Sequence, residues 1–173
     1  KRRGKRESEE SLQKSDEESP RITGQSVPNT LFFAVFSGNK NLIKKAQKLT
    51  DLFNLSPQKI CHIKVRALAQ AGQWEKLQKF ERSLSNKEGP PSIGYVPFIE
   101  GCIKEENKKE ARRYIDKVED LLTQVQYYVQ IQEYDEAIRR AFDAKSLDGL
   151  NFIYKSAIDP DIRKIAGEKI KSL

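Results

Sequence analysis

The most reactive side chains of this sequence are those of Cys61, His62 and Cys102. Acyl transfer needs a nucleophile beside a base, but neighbouring residues of a helix point about 100° apart, so Cys61 and His62 cannot form a dyad with each other. One histidine and two distant cysteines do not provide a structural zinc site, and the sequence has no glycine-rich phosphate loop. We therefore expect a protein that is not an enzyme and that holds neither a metal nor a cofactor.

A row of cations offers a different chemistry, the recognition of an acidic partner. Lys59, His62 and Arg66 recur at i, i+3 and i+7 of a predicted helix, and this spacing places them on one face. The residues of this helix that are expected to face inward are Ile60, Val65 and Leu68. The basic stripe is either a solvated helix face or a docking surface, where such charges chiefly set the association rate and the orientation.

A second cationic patch, Lys44, Lys45 and Lys48, lies on the preceding predicted helix. The chain has a net charge of +7, but most of its 32 basic residues alternate with its 25 acidic residues, as in residues 104–110. Alternating charge is typical of solvated helix faces, whereas a nucleic-acid surface concentrates basic residues on one face. We expect no nucleic-acid partner; the alternatives are a helical repeat that binds RNA and a generic peptide adaptor.

Helical spacing of apolar residues, without sustained strand alternation, predicts an all-α fold. Serine or aspartate followed by proline, at residues 56–57 and 159–160, predicts two helix starts, and Gly38 and Gly72 predict helix ends. The pattern predicts ten helices, at residues 28–37, 40–53, 57–71, 73–84, 94–105, 107–117, 119–131, 133–144, 146–157 and 160–172.

Four predicted turns repeat along the chain. Gly38, Gly72, Glu106 and Gln132 can be placed in register, and each follows an apolar residue three positions earlier. The offsets are 34, 34 and 26 residues. A spacing near 34 suits two helices of about four turns with two short loops, and a single such hairpin cannot cover its own apolar stripe. The sequence therefore predicts an α-solenoid of stacked antiparallel helix hairpins.

Composition divides the chain into two regions. Residues 1–25 contain two large aliphatic residues and no aromatic residue, which predicts a flexible charged segment; the alternative is that they prolong a long helix of an upstream chain. Residues 26–173 form the predicted α-solenoid, which is interrupted by a loop at the prolines of residues 88–92. No run approaches 18 apolar residues, so we expect a cytoplasmic protein without a membrane span.

Four consecutive stretches carry a family resemblance. They are IKVRALA at residues 63–69, QWEKLQKF at 73–80, PSIGYVPFIEGC at 91–102 and NKKEARRYI at 107–115. In this order they resemble the family of vacuolar protein sorting-associated protein 16, and the likeness covers about residues 28–145. The family usually has aromatic residues where this chain has Ile60, Cys61 and His62.

The resemblance implies the C-terminal α-solenoid of a core subunit of the HOPS and CORVET membrane-tethering complexes, or of a close paralogue. Such a scaffold binds a Sec1/Munc-type protein, vacuolar protein sorting-associated protein 33, together with other subunits, and recruits it for vesicle fusion. Its place would be cytoplasmic, peripherally on late endosome, lysosome or vacuole membranes, with an indirect membrane association. The contact would lie in roughly residues 28–70, and Lys59 would be a candidate contact residue.

Overall fold

A computed structural model describes residues 24–85 and 90–173, and these residues form ten α-helices. The all-α prediction is confirmed. The helices are α1 (Val27–Ser37), α2 (Lys40–Leu52), α3 (Pro57–Gln70), α4 (Trp74–Leu84), α5 (Val96–Lys104), α6 (Lys108–Ile115), α7 (Leu121–Gln130), α8 (Tyr134–Asp143), α9 (Leu147–Ser156) and α10 (Pro160–Lys171).

Two predictions fall wholly or partly outside the described residues. The predicted flexible segment, residues 1–25, is described only at its last two positions, and the predicted loop at residues 88–92 is described only from Pro90 onward. Both assignments therefore stay predictions. None of the helices in the described ranges is long and apolar enough to cross a bilayer.

Short polar side chains fix most helix starts. Ser56 and Asp159 cap α3 and α10 as predicted, each with a proline in the first turn. The predicted start of α5 near residue 94 is wrong by two residues. Gly94 has a φ of 71°, which a right-handed helix cannot contain, so α5 begins at Val96.

The four turns placed in register share one backbone geometry. Gly38, Gly72, Glu106 and Gln132 all have a left-handed φ, between 55° and 69°. Each donates its N–H to the carbonyl three residues earlier at 2.9–3.0 Å, which satisfies a carbonyl that the helix end leaves open. These turns join α1 to α2, α3 to α4, α5 to α6 and α7 to α8. The repeat read from the sequence is confirmed.

The helices stack as hairpins in two layers. Within each hairpin an odd-numbered helix packs on the next even-numbered one, and α1 packs on α3, α3 on α5, and α7 on α9. Leu77, Tyr114, Tyr128 and Leu150, one from each hairpin from the second to the fifth, are completely buried. Apolar side chains thus form a continuous core along the stack, and the α-solenoid prediction is confirmed.

Polar contacts supplement the apolar core between the third and fourth hairpins. Asp116 accepts hydrogen bonds from the Tyr128 hydroxyl and from the Arg140 guanidinium, which lies 2.5 Å away. Glu136 of α8 is held by Arg139 and Arg140, and these arginines lower the pKa of its carboxyl to about 2. By contrast, α5 and α7 approach each other less closely than the other pairs of successive odd-numbered helices.

Replacing the completely buried Leu77 tests the predicted core. Leu77→Ala should lower the free energy of unfolding by about 2–5 kcal/mol, because it removes buried methyl groups and leaves a cavity. Leu52→Ala is the matched control, since Leu52 is 73% exposed and its loss should change stability by less than about 0.5 kcal/mol. Urea unfolding followed by circular dichroism measures both. Equal stabilities of the two variants would contradict the core assignment.

The left-handed turns allow a stabilising substitution. Glu106 has a φ of 55° and is exposed, so Glu106→Gly should raise the free energy of unfolding by about 0.5–1 kcal/mol by relieving a conformation that side chains disfavour. Lys109→Gly, at an exposed position in the first turn of α6, should instead lower it by up to about 1 kcal/mol. Thermal unfolding of the two variants decides the point, and a loss of stability in both would contradict this account of the turn.

Candidate partner-binding groove

The basic stripe begins in the first turn of α3. Ser56 caps this helix, and its hydroxyl accepts a hydrogen bond from the backbone N–H of Lys59 at 3.4 Å. Val65 and Leu68 are buried as predicted, whereas Ile60 is half-buried and packs against the core. Lys59, His62 and Arg66 are all exposed, so the helix turns its charged side outward.

A glycine brings α5 close to α3. A Cβ built on Gly101 would lie 3.3 Å from the Cβ of Ala69 and 3.7 Å from Cγ1 of Val65. The distance of 3.3 Å is tighter than ordinary van der Waals contact, so α3 and α5 can approach this closely only because Gly101 has no side chain. Longer side chains around this contact line an open groove.

The groove between α3 and α5 has a volume of about 300 Å³, at the lower end of the range for ligand clefts. Its floor is apolar and its rim is charged. All three residues of the predicted stripe line it, and α5 supplies the opposite wall. The lining residues are Lys59, His62, Ile63, Val65, Arg66, Pro97, Glu100, Gly101 and Lys104.

The rim is predominantly cationic. Within the described residues, Lys59, Arg66 and Lys104 form no ion pair with a carboxylate, so their charges face the groove and the solvent. The acid on the rim, Glu100, lies beside Tyr127 of α7; burial and this carboxylate together raise the pKa of the Tyr127 hydroxyl. An acidic group entering the groove would therefore meet attractive charge on both walls.

Arg66 serves the fold as well as the rim. The Cζ atom of its guanidinium lies 4.7 Å from the centroid of the Phe32 ring on α1, a distance typical of a cation–π contact. The Phe32 ring stacks in turn on Phe36. Arg66 thus ties α3 to α1, whereas no such contact is found for Lys59 in the described part of the chain.

Charge is divided unevenly along the stack. Residues 24–72, which form α1 to α3, contain seven lysines and arginines but a single acid, Asp51. The ion pairs of the described residues all lie between Glu81 and Asp143. The net positive charge is therefore concentrated at the end of the solenoid that carries the groove. The alternating charges of residues 104–110 are not typical of residues 24–72, so the sequence analysis did not reveal this uneven distribution.

The second predicted patch lies elsewhere. Lys44, Lys45 and Lys48 are exposed on α2, which packs on α1, and none of them lines the groove. The structure thus keeps the two sets of predicted site residues on separate helices. A role for the α2 lysines in binding stays a prediction.

Both cysteines are free thiols that keep their protons at neutral pH. Burial raises the pKa of Cys61, and burial together with Glu110 raises that of Cys102 to about 12. A nucleophilic cysteine needs the opposite shift. Among the described residues, no cluster of histidine, cysteine and carboxylate side chains is arranged to hold a metal ion.

Sequence reasoning missed the second wall of the groove. Pro97, Glu100 and Lys104 follow the stripe of α3 at a constant offset of 38 residues and with the same i, i+3, i+7 spacing. A search for that spacing in successive odd-numbered helices would have found them.

Three relatives resemble the chain over most of its length. The vacuolar protein sorting-associated protein 16 homolog of Dictyostelium discoideum is 35% identical over 87% of this chain and 17% of that protein. The homolog of Drosophila melanogaster is 29% identical over 78% of this chain and 15% of that protein. Vacuolar protein sorting-associated protein 16 of Saccharomyces cerevisiae is 26% identical over 88% of this chain and 18% of that protein.

Fold and groove define an α-solenoid of helix hairpins with a cationic cleft on its surface. The family described as "Vps16, C-terminal region" matches residues 11–170. The chain belongs to this family, and the resemblance read from the sequence is confirmed. The chain spans less than a fifth of the length of the relatives it matches. No solved structure matches it significantly.

The two ends of the basic stripe should differ in their effect on stability. Arg66→Ala should lower the free energy of unfolding by about 1 kcal/mol, because it removes the contact with Phe32 and the packing of the arginine stem. Lys59→Ala should change it by less than about 0.5 kcal/mol. Urea unfolding of both variants provides the comparison. If Lys59→Ala lowered the free energy of unfolding more than Arg66→Ala, Lys59 would contribute to the fold, and a substitution there could not test binding alone.

Proposed function

We propose that this chain is a scaffold region of a subunit of a vacuolar membrane-tethering complex, of the HOPS and CORVET type. Family membership supports the proposal, because relatives from an amoeba, a fly and a yeast are all named as vacuolar protein sorting-associated protein 16 or its homologs. A relative in Arabidopsis thaliana, 33% identical over 65% of this chain, is named Protein VACUOLELESS1. In this proposal the chain acts in the cytoplasm, peripherally on late endosome, lysosome or vacuole membranes, which it reaches through other subunits.

The proposed task of the chain is to hold a Sec1/Munc-type protein of the vacuolar protein sorting-associated protein 33 family. The observation that carries this proposal is the open groove between α3 and α5, with cations on both walls and an apolar floor. A partner that places an acidic, partly apolar segment in the groove would gain from charge attraction at the rim and from apolar burial at the floor. Recruitment of this partner supports vesicle fusion and requires no catalytic step by the chain.

The proposed unit is the whole solenoid of residues 26–173. The groove is formed by two different hairpins, and α3 is itself supported by α1 through Arg66 and Phe32. The charge of residues 24–72 extends the attraction beyond the groove and would raise the association rate. Hairpins further along the stack remain available for other subunits of the complex.

Reversing the charge of Lys59 tests the proposed interface. Lys59→Glu should raise the Kd for the Sec1/Munc-type protein by about five- to tenfold, mainly by slowing association, because the residue lies on the rim and not in the core. Surface plasmon resonance with the purified partner at two salt concentrations separates the two rates. The difference from wild type should shrink at high salt.

The matched control is Lys79→Glu, which makes the same change in net charge at an exposed position on α4, outside the groove. It should bind nearly as well as the wild type. Equal affinities for the wild type and both variants would remove the groove from the interface. If Lys79→Glu weakened binding as much as Lys59→Glu, the loss of affinity would be due to the change in net charge and not to the groove.

A further inference from the structure

Residues 7–19 are complementary to the groove in charge and in apolar content. They contain six acids and one base, Lys14, although they lie outside the described residues. Leu12 stands between the acids of residues 7–10 and those of residues 16–18. A segment with one apolar side chain flanked by two acidic clusters fits a groove with an apolar floor and a cationic rim.

We propose that the acidic block, residues 7–19, occupies the α3–α5 groove in cis and competes there with the acidic partner. The surface and its occupant are defined by this chain alone. Only the competition rests on the proposed function, because it needs the partner to bind at the same groove.

The direction of α1 brings the acidic block to the correct end of the groove. Arg66 lies over Phe32, and the side-chain amide of Gln73, just beyond α3, donates to the carbonyl of Phe36 at 3.3 Å. Two contacts in the same order along both helices mean that α1 and α3 run in parallel. Both helices therefore begin on the same side of the stack, which is the side on which Lys59 lies.

The connection is long enough. Ser19 precedes Gly24 by five residues, and five residues span up to about 17 Å when extended. Neighbouring helices pack with their axes about 8–10 Å apart, so a chain that leaves α1 needs to cross little more than α3 to enter the groove. The 13 residues of the acidic block then exceed the length of the groove wall between Lys59 and Arg66.

Tethering makes even a weak contact effective. A short linker gives its attached segment an effective concentration of the order of millimolar, so an affinity of that order fills the groove for about half of the time. A partner then binds with an apparent Kd equal to its intrinsic Kd divided by the free fraction of the groove, so half occupancy raises the apparent Kd about twofold. Phosphorylation would add about 1.5–2 negative charges at each modified residue and strengthen the cis contact. The serines of the block are Ser8, Ser11, Ser15 and Ser19.

Zero-length carbodiimide cross-linking of the full chain tests the contact without any partner. Carboxylates of residues 7–19 should become joined to Lys59 and Lys104, and mass spectrometry should find these pairs far more often than pairs with Lys79, an exposed control on α4. A mixture of isotopically light and heavy chains shows whether each link forms within one molecule. Links that are absent, that form only between molecules, or that concentrate on the lysines of α2 would overturn the proposal.

Neutralising part of the block tests the competition. The triple variant Asp16→Asn, Glu17→Gln, Glu18→Gln should bind the Sec1/Munc-type protein up to about twofold more tightly than the wild type, because the groove is free for more of the time. A control that removes three exposed acids at the far end of the stack should keep the wild-type affinity; it combines Asp148→Asn, Asp161→Asn and Glu168→Gln. Isothermal titration measures all three proteins.

The two experiments fail in distinguishable ways. If the cis cross-links form but both triple variants bind like the wild type, the competition is wrong and the partner does not use the groove. If the control tightens binding as much as the segment variant, a general charge effect replaces the competition. If no partner binding is detected, the proposed function fails, and the cross-links alone decide whether the acidic block occupies the groove.

Discussion

Burial of apolar side chains between neighbouring hairpins is the interaction on which the rest of the molecule depends. A pair of short helices has an apolar stripe that its own two members cannot cover, so each hairpin is stable only against the next. The left-handed turns at Gly38, Gly72, Glu106 and Gln132 give each hairpin the same tight connection, and the stripes therefore fall into line. Stacking fixes the odd-numbered helices side by side, and the groove is a consequence of that order.

The groove exists because this packing is close at one point and open around it. Gly101 lets α5 touch α3 at Ala69, while Lys59 and Lys104 extend from the two helices beyond the contact. A larger residue at the contact would separate the helices, and shorter residues on the rim would leave a shallow surface. The concentration of basic residues in α1 to α3 gives this part of the solenoid a net positive charge. Shape and charge thus arise from different residues on the same helices.

Much of the fold was predictable because helix signals are local. Ser56, Asp159 and the repeated turns mark helix ends through contacts that span only a few residues, and the structure confirms these assignments. The start of α5 was misplaced because the spacing of apolar residues carries no signal of the left-handed backbone of Gly94. Of the groove, the sequence predicted the α3 wall, but it could not show that Glu100 and Lys104 face that wall, because their proximity depends on the stacking of two hairpins.

The looser approach of α5 and α7 should give the scaffold unequal stiffness along its length. The first three hairpins pack through α1, α3 and α5, whereas α5 and α7 approach each other less closely, and the core at this step is supplemented by ionic and hydrogen-bonded side chains that water and salt can replace. Bending under load should therefore concentrate at that step, with a rigid arm on either side. Because the groove lies wholly within the first arm, a force transmitted through α7 to α10 should turn this arm without changing the shape of the groove.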